Sequence, residues 1–321
     1  MNLRTFALPV TRAKTWLRTT CTALALLTLA ACGGGSSSQT IDRGPTTIEI
    51  QAKLNGLYWD ADAARLYLTD DDASVNAIKT WDGEKGFSVA HPLPAMAADQ
   101  RTTLGQVTRA TNGTLYVTRF GFGSYGTVVV APRTGQTYNL AGLAGDRRRI
   151  AMTATTDGKL LTGWFRGGGS GPSGVISELT LGAGTTASEQ DLITGLSKPA
   201  GLAITGDQVF ITDQGSGKVL AYSLAAVRKT PATVADGRLI AQFTPADSLD
   251  LMTADADGAL YFGDGSGTLY AVAPNGTVKT LASGWPSIRG VALDAANKRL
   301  FVAVSAAASG EPSSIRIVPI N

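Results

Sequence analysis

The chain is poor in the residues that most metal and redox chemistry requires. It has two cysteines and one histidine in 321 residues. Cys21 and Cys32 both lie near the N-terminus, so the rest of the chain has no material for a disulfide or a thiolate zinc site. His91 cannot form a histidine pair, and His91-Pro92-Leu93-Pro94 reads as a loop. Beyond the leader there are only five glutamates, Glu49, Glu84, Glu178, Glu189 and Glu311, and none opens a predicted channel-facing strand. Residues 22–31 form an apolar run of about ten residues, too short to span a bilayer. The run Gly167-Gly168-Gly169-Ser170-Gly171 lacks the Lys-Ser/Thr and the following helix of a phosphate-binding loop, and reads as an inter-strand loop.

Charge is also less lopsided than the pI of 8.8 suggests. Arg4, Arg12, Lys14 and Arg18 form a positive leader with no acid, and without them 24 basic residues face 25 acidic ones. That balance gives no argument for nucleic acid as a partner. The leader, the apolar run and Leu29-Ala30-Ala31-Cys32 together resemble the bacterial lipoprotein box. The resemblance implies removal of residues 1–31 and acylation of Cys32, palmitate included. Residues 32–46 read as the lipidated cysteine and a flexible Gly/Ser tether, and 47–321 as the folded domain. The implied location is the bacterial cell envelope, lipid-anchored. Gly33, rather than Asp, follows the cysteine, which by lipoprotein sorting implies the outer membrane in a Gram-negative cell.

The domain is organised around a repeat that is clearest at residues 198–224. Three short strands are predicted there, separated by Gly206-Asp207 and by residues 213–217. Second strands recur at Leu66, Leu115, Leu160, Val209, Leu260 and Leu300, spaced 49, 45, 49, 51 and 40 residues apart. Turns such as Asn112-Gly113, Asp157-Gly158 and Asp257-Gly258 precede them, where positive φ is tolerated. Repeats of this length indicate an array of one supersecondary unit. The sixth unit ends after three strands, and the alternating residues 47–51 supply its fourth. The expected fold is therefore an all-β, six-bladed propeller of four-stranded blades, its ring closed by the N-terminal strand against residues 315–320. No long helix is expected.

Residues 199–222 resemble an NHL-type propeller repeat. Asn55-Gly56-Leu57-Tyr58-Trp59-Asp60, followed by Arg65-Leu66-Tyr67 and Asp70, is similar to the opening blade of the SMP-30/gluconolactonase family. Asp250-Leu251-Met252-Thr253-Ala254-Asp255-Ala256-Asp257-Gly258 is similar to its blade-five start. The resemblance implies a divalent metal, Ca²⁺ for example, at the channel mouth, held by a Glu of blade one, an Asn of blade four and the blade-five Asp. Asn55, Ala200 and Asp250 stand at those positions here, and Leu104 at that of a further Asn in blade two. Weak or absent metal binding is expected from Asp250 with Asn55.

Strand order assigns the loops entering inner strands, and those joining second to third strands, to one face. That face collects Arg101, Arg119, Arg147, Arg148, Arg149, Arg166 and Arg289, with Phe120, Phe122, Tyr125, Trp164, Phe165 and Trp285. Its acids include Asp70, Asp71, Asp72, Asp213, Asp247, Asp250 and Asp264. Arginine forks suit carboxylates and phosphates, and aromatics supply apolar walls. The expected ligand site comprises Arg119, Arg166, Asp250, Asn55, Arg101, Arg289, Trp164 and Phe122, with Arg119 and Arg166 dominant and Asp70 to Asp72 as the nearest neutralising acids. The recurrence of Asp70, Asp213 and Asp264 predicts repeated turn hydrogen bonds. The leading expectation is a lipid-anchored, monomeric envelope propeller that binds an anionic small molecule or an acidic partner. A lactonase- or esterase-like hydrolase with a degenerate metal site, and an envelope scaffold, are the alternatives.

Overall fold

Each repeat folds into one small antiparallel sheet, and the six sheets form a six-bladed β-propeller. The computed structural model describes residues 46–320, apart from residues 71, 73, 74, 84, 97–99, 101, 102, 169, 170 and 309. The innermost strands of blades one to six are Leu54–Asp60, Leu104–Arg109, Arg148–Ala154, Pro199–Thr205, Leu249–Ala254 and Ile288–Asp294. Each packs against the next, and the sixth packs against the first. Blade six takes its outer strand from Thr47–Ile50, which pairs with Ser313–Pro319 in the register Thr47↔Arg316 to Ile50↔Ser313. The ring thus closes as the missing fourth strand predicts.

Two-residue alternation lets every blade serve two neighbours. In blade four, Val209 and Ile211 join Leu161 and Ile176 of blade three, whereas Phe210 joins Leu249 and Phe262 of blade five. The same partition gives six apolar clusters, one per junction between blades. Burial is therefore spread around the ring rather than concentrated in one core.

Two features depart from the expected pattern. Blade three carries a fifth strand, Ala232–Thr233, parallel to its outer strand Ala187–Leu196. The chain reaches it through the helix Leu224–Lys229, capped by the Ser223 hydroxyl accepting from the Ala226 N–H. That helix buries Leu224 and Val227 against the same cluster and is too short for a periodic signal. The inner strands also start earlier than the apolar pattern suggests, at Leu104 rather than Gln106 for example, because ladder pairing continues past an irregularity described next.

Candidate functional site

In every blade the first two strands pair at their start, by one ladder pair or, in blade three, two, after which the register shifts. The pairs next to the shift are Leu54↔Asp70, Leu104↔Arg119, Arg149↔Trp164, Pro199↔Asp213, Leu249↔Asp264 and Ile288↔Val304. A bulge bends its strand and re-aims a side chain. The residues directly after those pairs are Asn55, Gly105, Ile150, Ala200, Asp250 and Arg289, and all six line one cavity of about 530 Å³. The blades meet tightly just below this ring. A Cβ on Gly290 would lie 2.4 Å from the Asn55 carbonyl oxygen, and one on Gly201 2.6 Å from that of Asp250. Threonines stitch the same level: Thr69, Thr118 and Thr212 donate across blades to the carbonyls of Gly105, Ile150 and Asp250.

The ring is divided. Blades five, six and one present Asp250, Arg289 and Asn55 as a connected set. Arg289 Nη1 lies 3.0 Å from Asp250 Oδ2, and Arg289 Nε donates to Asn55 Oδ1 at 3.1 Å. Asn55 Nδ2 in turn donates to the Leu104 carbonyl at 2.5 Å, and Asp250 Oδ1 accepts from the Leu251 N–H at 3.0 Å. Burial raises the Asp250 carboxyl above its ordinary range, against the opposing pull of Arg289 and Lys198. Blades two, three and four contribute only Gly105, Ile150 and Ala200 to the ring.

Above that blank half stand Lys198, Phe120 and Phe122, which also line the cavity. Asp213 fixes the backbone that presents Lys198, accepting from the N–H groups of Ser197 and Lys198, the latter at 2.6 Å. Asp70 and Asp264 hold their own loops in the same way, as their recurrence predicts. Burial lowers the Lys198 pKa, and the charges of Arg289 and Arg148 lower it further, with Asp250 partly opposing. Among the described residues no carboxylate lies within ion-pair distance of Lys198 or Arg148.

Asn55, Asp250, Arg289 and Phe122 thus meet in the cavity, as the strand order implies. Arg119, Arg166 and Trp164 do not line it. Arg119 occupies the register of Asp70 and Asp213 in its blade and is wholly buried. Its guanidinium donates to the Pro94 carbonyl at 3.0 Å and lies beside Met96, Asn76 and Asn139. Trp164 holds the equivalent position in blade three, buried, with Nε1 donating to Ser177 Oγ. Arg166 is half exposed and pairs with Asp146 at 2.6 Å. Arg147 and Arg149 find their acids within their own blade. Arg149 makes a two-pronged contact with Glu189 at 2.7 and 2.8 Å, and Arg147 pairs with Glu189 and Asp191, both at 2.9 Å, over the Trp164 ring. Arg101 and Cys32 lie outside the described residues. In blade two, Gly105 takes the ring position, and Leu104 beside it is buried and also lines the cavity.

The residue that strand order alone did not single out is Lys198. Its signal is the loop entering the blade-four inner strand, the same placement that marks Arg289 and Asp250.

A hard cation such as Ca²⁺ takes about six to eight oxygens. The ring's one carboxylate is committed to a guanidinium, and Ala200 has no donor. Among the described residues, no group of three or more His, Cys, Asp or Glu could hold a metal ion. The residues present do not fit a resident divalent metal.

A family profile described as the SMP-30/Gluconolactonase/LRE-like region matches residues 54–307. No curated protein matches the chain. Among solved structures, a luciferin-regenerating enzyme shares 15% identity over 87% of this chain and 96% of its own, with a TM-score of 0.63. The calcium-binding protein regucalcin from Agrobacterium tumefaciens shares 13% over 84% and 91%, with a TM-score of 0.61. A gluconolactonase from Xanthomonas campestris shares 15% over 84% and 86%, also with a TM-score of 0.61. At these identities the likeness shows the fold alone.

Proposed function

Because the chain belongs to the SMP-30/gluconolactonase/LRE-like family, we propose that it keeps the family's propeller but uses the channel mouth to bind an anionic ligand, without a catalytic metal. The ligand is a small carboxylate or phosphate, or an acidic side chain of an envelope partner. One observation carries this reading: the single carboxylate of the ring is spent on Arg289, while Lys198 and Arg148 have none. A concave site with uncompensated cations raises the local concentration of anions, even on a protein of near-zero net charge.

Thermal shift with acetate, citrate and inorganic phosphate is the test, with glucose as the neutral comparison. Anions are expected to raise the melting temperature, and Lys198→Met to weaken the best of them by roughly 10- to 150-fold, the range for one charge-assisted hydrogen bond. Chelator-sensitive turnover of glucono-1,5-lactone would instead establish the hydrolase. No response to any anion, with an envelope protein co-purifying, would establish the scaffold.

The lipoprotein box supports an anchored protein, acylated at Cys32, in the envelope and on the outer membrane of a Gram-negative cell. Several acyl chains at about 0.8 kcal/mol per buried CH₂ make a stable anchor. Cys32→Ser is expected to move the protein from the membrane to the soluble fraction of lysed cells. Retention at the parental level would remove the anchor.

A further inference from the structure

We propose that the ligand is an amphiphilic carboxylate, its acid group on Lys198 and its flat apolar body on a phenylalanine row above blades two and three. The proposal rests on the anion-binding reading and narrows it to one side of the cavity and one class of molecule.

The row is continuous. The Phe122 and Phe120 rings lie 5.0 Å apart, edge to face. Phe120 and Phe165 follow at 5.8 Å. Two cations flank it: the Arg148 guanidinium lies 5.7 Å from the Phe120 centroid and 5.8 Å from that of Phe165, and Lys198 Nζ lies 5.7 Å from Phe165. Gly167 makes room for Arg148, since a Cβ there would come within 2.3 Å of its guanidinium carbon. The Arg148 charge also adds to the field at Lys198.

The opposite half of the mouth suits such a ligand less. The Arg289 charge there is already balanced by Asp250, and its Nε donates to Asn55, so a carboxylate would meet a guanidinium with its own counter-charge in place. On the near side, Gly105, Ile150 and Ala200 offer a polar ligand no side-chain hydrogen bond, but leave an apolar floor. A cavity of about 530 Å³ holds a molecule larger than a bare inorganic anion.

Phe122 adds an independent observation. It adopts φ +50°, a conformation uncommon for a bulky side chain, and still leaves 38% of its surface exposed. Backbone strain of this kind clusters at ligand clamps.

The probes are 4-phenylbutyrate, butyrate and 4-phenylbutanamide, titrated calorimetrically into the protein, into Lys198→Met and into Phe122→Gly. In the parent, 4-phenylbutyrate is expected to bind roughly tenfold or more tightly than either comparison compound. Lys198→Met should abolish its advantage over the amide. Phe122→Gly should abolish its advantage over butyrate in a protein that still folds, because glycine accepts the positive φ. A merely structural Phe122 would leave that advantage intact. Equal binding of butyrate and phenylbutyrate, still sensitive to Lys198→Met, would overturn the amphiphile and leave the anion site standing. Equal binding of acid and amide, insensitive to Lys198→Met, would overturn both, as would no binding of any probe.

Discussion

Glu189→Gln is expected to cost about 3–5 kcal/mol of folding stability, the range for breaking a buried ion pair by removing one partner. The Glu189 side chain is 7% exposed and that of Arg149 is not exposed at all. Two nitrogens of Arg149 rest on the two carboxylate oxygens of Glu189. A glutamine leaves the guanidinium buried with its charge uncompensated. Arg147 is less affected, since it keeps Asp191 and the Trp164 face. The double substitution Arg149→Met with Glu189→Leu should recover most of the loss, because apolar groups of similar volume carry no desolvation cost. The pH dependence has a definite sign. Burial opposes ionisation of Glu189, but the hydrogen bonds and charges of Arg149 and Arg147 outweigh it and hold its pKa below the ordinary 4.5. Its contribution is therefore complete above 4.5 and is lost as pH falls through the lower folded value. Denaturant unfolding of parent and Glu189→Gln, at neutral pH and in acid, should show a gap that narrows in acid. A neutral-pH loss under about 1 kcal/mol would place the pair among solvated ion pairs.

That ion pair also shows where the sequence stops being readable. The blades follow from repeat spacing, turn residues and two-residue alternation, all of which are local. Ring closure follows from one unit lacking a strand. Asn55, Asp250 and Arg289 were legible because strand order puts the start of each inner strand at one mouth. Glu189 was not legible as the partner of Arg149: it lies on the outer strand of its blade, 40 residues away in sequence. No spacing rule links an outer strand to the mouth of the same sheet.

Arg119 is a different case, since its register was available. It stands four residues after Leu115, as Asp70 stands four after Leu66 and Asp213 four after Val209. A position that holds a buried turn carboxylate in three blades, Asp264 being the third, is buried in a fourth as well, whatever its charge. Reading Arg119 by its side chain put it on the surface; reading it by its register puts it under the loop. The same register explains Trp164. Lys198 was overlooked for the converse reason: it belongs to the strand-defining stretch, and its backbone role there hides a side chain that Asp213 presents to the cavity.

The triple substitution Asn55→Glu, Ala200→Asn and Arg289→Ala is expected to create Ca²⁺ binding that the parent lacks. The ring supplies the geometry: bulges of blades one, four and five bring all three positions of the implied ligand set, Asn55, Ala200 and Asp250, to one cavity. What the parent lacks is the donor set. Asn55 is a weaker ligand than a carboxylate, Ala200 is none, and the Arg289 guanidinium sits 3.0 Å from Asp250 as an internal counter-cation. Removing Arg289 takes away a positive charge and frees both the Asp250 oxygen and its link to Asn55. Alone, this step is destabilising, because Asp250 is left buried with its desolvation cost and a diminished counter-charge. Glu at 55 and Asn at 200 then bring the side-chain oxygens to a number from which water and backbone carbonyls can complete the six to eight that Ca²⁺ takes. Binding to the folded state alone stabilises by mass action, about 2.7 kcal/mol when free Ca²⁺ is one hundred times Kd. Thermal unfolding in EGTA and in millimolar Ca²⁺ measures the effect. The triple variant should be less stable than the parent in EGTA and recover on adding Ca²⁺, while the parent should not respond. A parent that responds as strongly as the variant would mean that Arg289 swings away and the metal takes its place at Asp250. A variant that fails to respond although it folds would mean that the ring positions, though adjacent, do not converge on a common point.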